Sequence, residues 1–202
     1  MEHNHPEIGH FSLHIIEPSS DLWQRVTNHV ALRYKAAFAA ELTSFMPAYL
    51  TLCQGEQIVC VCGFRIASNE PLFLEQYLPQ EAQLLITKAF HCDVKRSHLI
   101  EFGHLASFAT GMSSLHFYLM AQMLVDLGYE WCIFTATDPL HAMMRRLGLQ
   151  PHLIAQAEQS KIPNATTIWG SYYEYQPKVM AGSLGKGLAQ LRAIHANKIK
   201  RA

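Results

Sequence analysis

No stretch of this 202-residue chain holds the roughly eighteen consecutive apolar residues that a membrane-crossing helix needs. Charge is also scarce: 16% of the residues are Asp, Glu, Lys or Arg, and sixteen bases balance sixteen acids. A neutral chain creates no long-range field to gather phosphates, so nucleic acid is not an expected partner. Absent too are a Gly-x-Ser-x-Gly elbow, a Walker loop and a His-Glu-x-x-His motif, which weakens serine hydrolase, nucleoside triphosphatase and zinc protease readings. The cysteines are odd in number (Cys53, Cys60, Cys62, Cys92, Cys132), and four lie in runs that read as buried strand. They predict reduced, intracellular thiols used for packing. Cys60 and Cys62 share a strand face, but no second Cys or His pair follows at finger spacing, so no metal is expected. Residues 1–10 are polar and His-rich and lack the regions of a signal peptide. They predict a flexible terminus, no classical secretion, and a cytoplasmic or membrane-peripheral location.

Half of the residues are apolar, enough for one core. Phe11 to Ile16 suits a strand, and Pro18 to Asp21 then breaks the chain before a helix from Leu22 to about Glu41. Strands from Met46 to Cys53 and from Ile58 to Ala67 flank a Gln54-Gly55-Glu56-Gln57 turn and predict a hairpin. A helix follows Pro79 over Gln80 to Phe90. The central unit is a strand from Leu99 to Phe108, a small-residue turn, and a helix from Ser113 to Leu127 closed by Gly128. Trp131 to Thr137 reads as strand, Pro139 to Leu147 as helix, and Thr167 to Tyr175 as the last strand. This alternation predicts an α/β (α+β) domain over 11–177, with a mixed sheet covered by helices. Composition shifts over 178–202: no acidic residue follows Glu174, while Lys178, Lys186, Arg192, Lys198, Lys200 and Arg201 accompany leucines at helical spacing. Such a tail reads either as a helix docked on the domain or as a basic amphipathic helix for an anionic membrane surface.

A strand that ends in a small-residue turn and enters a helix offers free backbone N–H groups at the positive end of the helix dipole. Here Thr110, Gly111, Met112, Ser113 and Ser114 would place amides and hydroxyls against a diphosphate, or would simply cap the helix. Glu101 stands in a mostly apolar strand, so its carboxylate is either paired, with Arg65 or Arg33, or placed as a general base. His104 lies three residues on and would face the other way unless Gly103 allows a bulge. Arg65 and Glu75, charges in apolar surroundings, are candidates for binding an acceptor or for pairing with each other.

The order of elements resembles the GNAT acyltransferase fold, in which the turn before the central helix holds coenzyme A; Gly111 and Ser113 keep part of that loop's pattern. The later tyrosine of that fold, often a general acid, falls on Met144, which carries no proton to donate. Gly63-Phe64-Arg65, Pro71-Leu72-Phe73-Leu74 and Glu101-Phe102-Gly103-His104-Leu105-Ala106 are similar to blocks of acyl-homoserine-lactone synthases. Pro71 to Leu78, Glu101 to Ala106 and Trp169-Gly170-Ser171-Tyr172-Tyr173-Glu174 together resemble the thermostable hemolysin family over nearly the whole chain. The resemblance implies a GNAT-like N-acyltransferase; the residues read above as candidates for its site are Glu101 and His104 for catalysis and Arg33, Arg65 and Glu75 for the acceptor. It further implies an acyl-CoA or acyl carrier protein phosphopantetheine thioester as co-substrate, and a small amine as acceptor. The family's name adds lysis of membranes as one alternative, and a GNAT-like domain that only binds an acyl ligand without catalysis is the other.

Overall fold

In a computed structural model, the residues described are 6–107 and 111–199. A two-residue strand, β1 (Glu7–Ile8), precedes β2 (Phe11–Ile16) and helix α1 (Trp23–Phe38). The hairpin is β3 (Ala48–Gln54) with β4 (Gln57–Ile66), followed by a 3-10 segment, Phe73–Tyr77, and α2 (Ala82–Phe90). Next come β5 (Leu99–Ser107), α3 (Ser113–Asp126), β6 (Trp131–Ala136) and α4 (Asp138–Arg146). The chain then adds β7 (His152–Gln156), the short helix α5 (Ala165–Trp169), a 3-10 segment Gly170–Tyr175, β8 (Lys178–Ser183) and α6 (Leu184–Ile199).

The strands form one open sheet in the order β1-β2-β3-β4-β5-β6-β8-β7, antiparallel at every junction except the parallel one between β5 and β6. One face carries Leu50, Cys60, Cys62, Ile100, Cys132, Phe134 and Met180, packed with Leu119, Met120, Met123 and Leu124 of α3. The cysteines here serve as small apolar side chains, and Met120 and Met123 are core. On the other face, Tyr49, Val61 and Ala106 meet α1, while Leu99, Ile133, Val179 and Ala181 meet α2 and α5. Alternate residues of each strand thus feed two different layers, the period that a sheet covered on both faces requires.

Two readings from the sequence are corrected. Thr167 to Tyr175 is not a strand but helical, because Gly170 turns at φ +54 and the segment docks on the end of α1. Its aromatic and β-branched composition matches strands, and tertiary contacts override that preference. The last strand is instead Lys178–Ser183, which the charge pattern had assigned to a tail; it sits inside the sheet between β6 and β7. The helix that follows does dock: Leu184, Leu188 and Leu191 are buried, the last two against Ala121 of α3. Among the described residues no helix is long and apolar enough to cross a membrane, and no group of His, Cys, Asp or Glu has the arrangement of a metal site.

Candidate active site

Two irregularities in the middle of the sheet create the site. The parallel pairing of β5 with β6 spans only Leu99–Phe102 opposite Trp131–Phe134, and past this point the two strands part. On its other edge β5 pairs with β4, but Val61 faces Ala106 while Gly63 faces Gly103, so β5 carries one residue more than its partner. His104 lies in this bulge with φ +51, a left-handed conformation uncommon for a side chain of its size. An added residue reverses the alternation of the strand. Leu99 and Glu101 before the bulge, and His104 and Ala106 after it, therefore all face the α1 side. Gly103 does allow the bulge that brings Glu101 and His104 to one face.

Glu101 is 2% exposed. Its Oε2 accepts the Leu74 amide at 2.9 Å, and its Oε1 lies 3.5 Å from Arg65 Nε, directly across the ladder. Burial raises its pKa; the Leu74 amide and Arg65 oppose this, and the balance stands at about 7. Arg65 also reaches Glu70 at 3.3 Å, the Pro71 carbonyl at 3.3 Å and Met46 Sδ at 3.5 Å. Arg33 is elsewhere: its Nε donates to the Ser107 carbonyl at 3.0 Å. Glu75 pairs not with Arg65 but with Arg96, by two contacts of 2.6 and 3.0 Å, and accepts the amides of Ala82 and Leu72. Burial works to raise its pKa, but the Arg96 guanidinium and the two amides outweigh it and hold the carboxyl below its ordinary value. Glu75 thus fixes the Phe73–Tyr77 segment whose Leu74 amide holds Glu101.

The His104 imidazole is buried with Nδ1 2.9 Å from the Tyr49 hydroxyl, which accepts the Met46 amide. A hydroxyl so engaged donates its proton to Nδ1, placing the imidazole's own proton on Nε2. Burial, reinforced by Arg65, pushes the pKa down to about 4. The ring is therefore neutral at pH 7, stacked on Tyr49 and ringed by Tyr34, Phe45 and Trp169. Its hydrogen bond goes to Tyr49 rather than to Glu101.

Two cavities meet here. The larger, about 670 Å³, lies mainly on the α3 face and is lined by Phe117, Met120, Ala121, Phe134, Met144 and Leu191 among others; it passes through the split between β5 and β6. The smaller, about 60 Å³, lies on the α1 face against Glu101, Arg65, Phe45, Phe73, Tyr173 and Trp169. Tyr34, Phe102, Gly103, His104, Thr135 and Tyr172 line both, and so mark the junction. Tyr172 donates its hydroxyl to Thr135 Oγ1 at 2.9 Å, which ties the 3-10 segment to the free end of β6. Of these six, the sequence reading named only His104 as a site residue. The signal for Tyr172 was the aromatic density of Trp169-Gly170-Ser171-Tyr172-Tyr173.

Among the described residues of the turn before α3, Gly111 to Ser114 line neither cavity. Thr110 lies outside the described residues. Gly111 is exposed at φ +81, Met112 precedes the helix without a side-chain cap, and no acidic residue occupies the first turn. Ser114 Oγ lies 3.3 Å from His195 Nε2 of α6.

Comparison with known proteins places this geometry. No curated protein matches the sequence. Among solved structures, FeeM, an N-acyl amino acid synthase from uncultured soil microbes, is similar at 12% identity, covering 89% of this chain and 94% of its own, with a TM-score of 0.60. The acyl-homoserine-lactone synthase LasI is similar at 15% identity over 87% and 90% of the two chains, also with a TM-score of 0.60. BjaI, a CoA-dependent acyl-homoserine lactone synthase solved with SAM and isopentyl-CoA, gives 14% identity, coverages of 90% and 87%, and a TM-score of 0.57. At such identities the likeness establishes a shared GNAT-like fold. The sequence itself matches the thermostable hemolysin family over residues 16–188. An open mixed sheet split at its parallel junction, on a sequence that matches along most of its length, makes this chain a member of the thermostable hemolysin family.

Proposed function

We propose that the protein is an N-acyltransferase that moves an acyl group from a CoA or acyl carrier thioester to a small amine. The observation that carries this reading is the meeting of a large apolar cavity and a small one bearing a carboxylate at the split between β5 and β6. A thioester has this shape: an apolar chain on one side of a carbonyl, with the attacking amine on the other. The acyl chain occupies the larger cavity, with its carbonyl at the junction. The amine enters the smaller cavity, and Glu101, poised near neutrality, accepts its proton as the C–N bond forms. Backbone amides of β5 beyond Phe102, no longer shared with β6, face the developing oxyanion. The C–S bond then breaks, giving an amide and a free thiol. Gly111 to Ser114, with the N-terminal amides of α3, receive the diphosphate of the carrier. The structures of FeeM and BjaI, named for N-acyl and CoA-dependent acyl products, support this assignment.

The test is thermal melting with octanoyl-CoA and with CoA alone, joined to mass spectrometry of any acyl ligand that copurifies. Octanoyl-CoA should raise the melt well above CoA; no shift with any acyl-CoA or acyl carrier protein sinks the reading. Membrane lysis through α6 is the competing account, and the family's name favours it. It requires the leucine face now buried on α3 to come free. Liposome leakage that survives Glu101→Ala and disappears on deleting residues 186–202 would favour it.

A further inference from the structure

An amine that enters the smaller cavity meets a carboxylate, a guanidinium already shared between two carboxylates, and a wall of aromatic rings. We infer that the acceptor is a short amine without a carboxylate, an alkylamine or amino alcohol rather than an amino acid. This rests on the acyl-transfer reading above and names the acceptor class of the same site.

Charge is the first ground. Among the described residues lining the smaller cavity, only Glu101 and Arg65 carry charge, since His104 is neutral. A carboxylate taken out of water needs a cation of its own. Arg65 has little to spare. Its Nε lies 3.5 Å from Glu101 Oε1, its Nη1 reaches Glu70 and the Pro71 carbonyl, each at 3.3 Å, and its Nη2 lies 3.5 Å from Met46 Sδ. An amino acid seated here would set its carboxylate beside Glu101, in the field of Glu70 and Glu75. That field reaches the site: burial raises the Glu101 pKa most, the Leu74 amide and Arg65 oppose it, and Glu75 and Glu70 raise it further.

The walls are the second ground. Phe45, Phe73, Trp169 and Tyr173 line the cavity; such rings bring no charge to an anion, while their faces attract an ammonium group. An amine approaching in its ammonium form is drawn by Glu101 and the rings alike, and the same two features turn an anionic acceptor away. Size is the third ground. An apolar cavity of about 150 Å³ takes one benzene. The smaller cavity, at about 60 Å³, has room for only a few heavy atoms. Its walls are pinned, because Arg96 holds Glu75 of the Phe73–Tyr77 segment and Ser171 Oγ donates to the Phe38 carbonyl at 3.2 Å. Ser44 lines the cavity and is exposed to solvent, which gives the mouth a hydroxyl for an uncharged polar end. Glycine is small enough to enter, so charge rather than bulk is what excludes it.

The experiment measures kcat/KM for transfer from octanoyl-CoA to ethanolamine, glycine and phenethylamine, with mass spectrometry of the octanoyl amides as the readout. Ethanolamine and glycine carry amines of similar basicity and differ in charge at the other end. Ethanolamine should exceed glycine by about 10²-fold or more, and bulky phenethylamine should lag behind ethanolamine. Glu70→Gln, at a partly exposed position, relieves Arg65 of one carboxylate and should raise the glycine-to-ethanolamine ratio roughly 3-fold. Phe45→Lys sets an ammonium in the wall and should raise that ratio about 10-fold; Glu70→Gln carries the test if this variant does not fold. Glycine or phenethylamine acylated as fast as ethanolamine, or a ratio unmoved in every folded variant, would overturn the acceptor assignment and leave acyl transfer intact. If octanoyl-CoA raises the melt yet no amine is acylated, the acceptor assignment falls and the donor site stands. No melt shift and no amide would overturn both.

Discussion

Glu101 is the residue on which pH acts twice, with opposite signs. As proton acceptor only its carboxylate works, so kcat/KM should rise through about pH 7 and then level off, and Glu101→Gln should lower it by roughly 10²-fold or more. A limb centred near the ordinary value of 4.5 would place the working carboxyl in solvent rather than in this strand. For folding the logic reverses. A carboxyl with a raised native pKa binds its proton more tightly when folded, so its contribution to stability is full below about 4.5 and is lost as pH rises through about 7. His104 and His116 run the other way. Burial holds both down at about 4, so their contribution is complete above 6.5 and is lost as pH falls towards 4. Glu101→Gln removes the first effect and leaves the second. The free energy of urea unfolding should then climb more steeply between pH 4.5 and 7 in the variant than in the parent; an unchanged slope would mean that Glu101 titrates alike in both states.

The element that sets Tyr172 turns on one glycine. Gly170 adopts φ +54, and a Cβ there would run into the carbonyls of Phe38 and Ala39. Gly170→Ala should therefore cost roughly 2 kcal/mol or more, seen as a lower urea midpoint at unchanged slope. A change within about 0.5 kcal/mol would show that the segment can shift off α1. This element is also where the sequence misled, because Thr, Ile, Trp and Tyr in close succession favour strand and nothing local reveals that α1 will receive them. Lys178–Ser183 hid for the converse reason, since its flanking lysines and Gly182 read as tail while the sheet supplied its partners on both sides. By contrast the hairpin and the β5-turn-α3 unit were legible, because their apolar periods are local and their turns carry Gly at the needed places. At the site, the Glu101–Arg65 pairing and the dependence of His104 on a bulge could be posed from residue types alone. The Glu75–Arg96 pair could not, because Arg96 arrives from a separate stretch of chain that carries no signal.

At the scale of the whole molecule, the larger cavity is what distinguishes this sheet from a closed layer. Gly182 of β8 lines it, and a Cβ built there meets nothing within 4 Å. Gly182→Leu should fill part of that room with little loss of stability, and melting shifts should vanish for long acyl-CoAs while persisting for short ones. If every chain length were affected alike, the cavity would not be the acyl chamber. The parting of β5 from β6 has one more consequence. Strands β1 to β5 lie on one side of that junction and β6, β8 and β7 on the other, so within the sheet the two groups of strands are joined through only four residue pairs, Leu99–Phe102 with Trp131–Phe134. A guest lodged in the gap is then a mortar between two half-sheets, and its arrival should slow amide hydrogen exchange in β5 and β6 together, across a seam that the backbone itself leaves half unsewn.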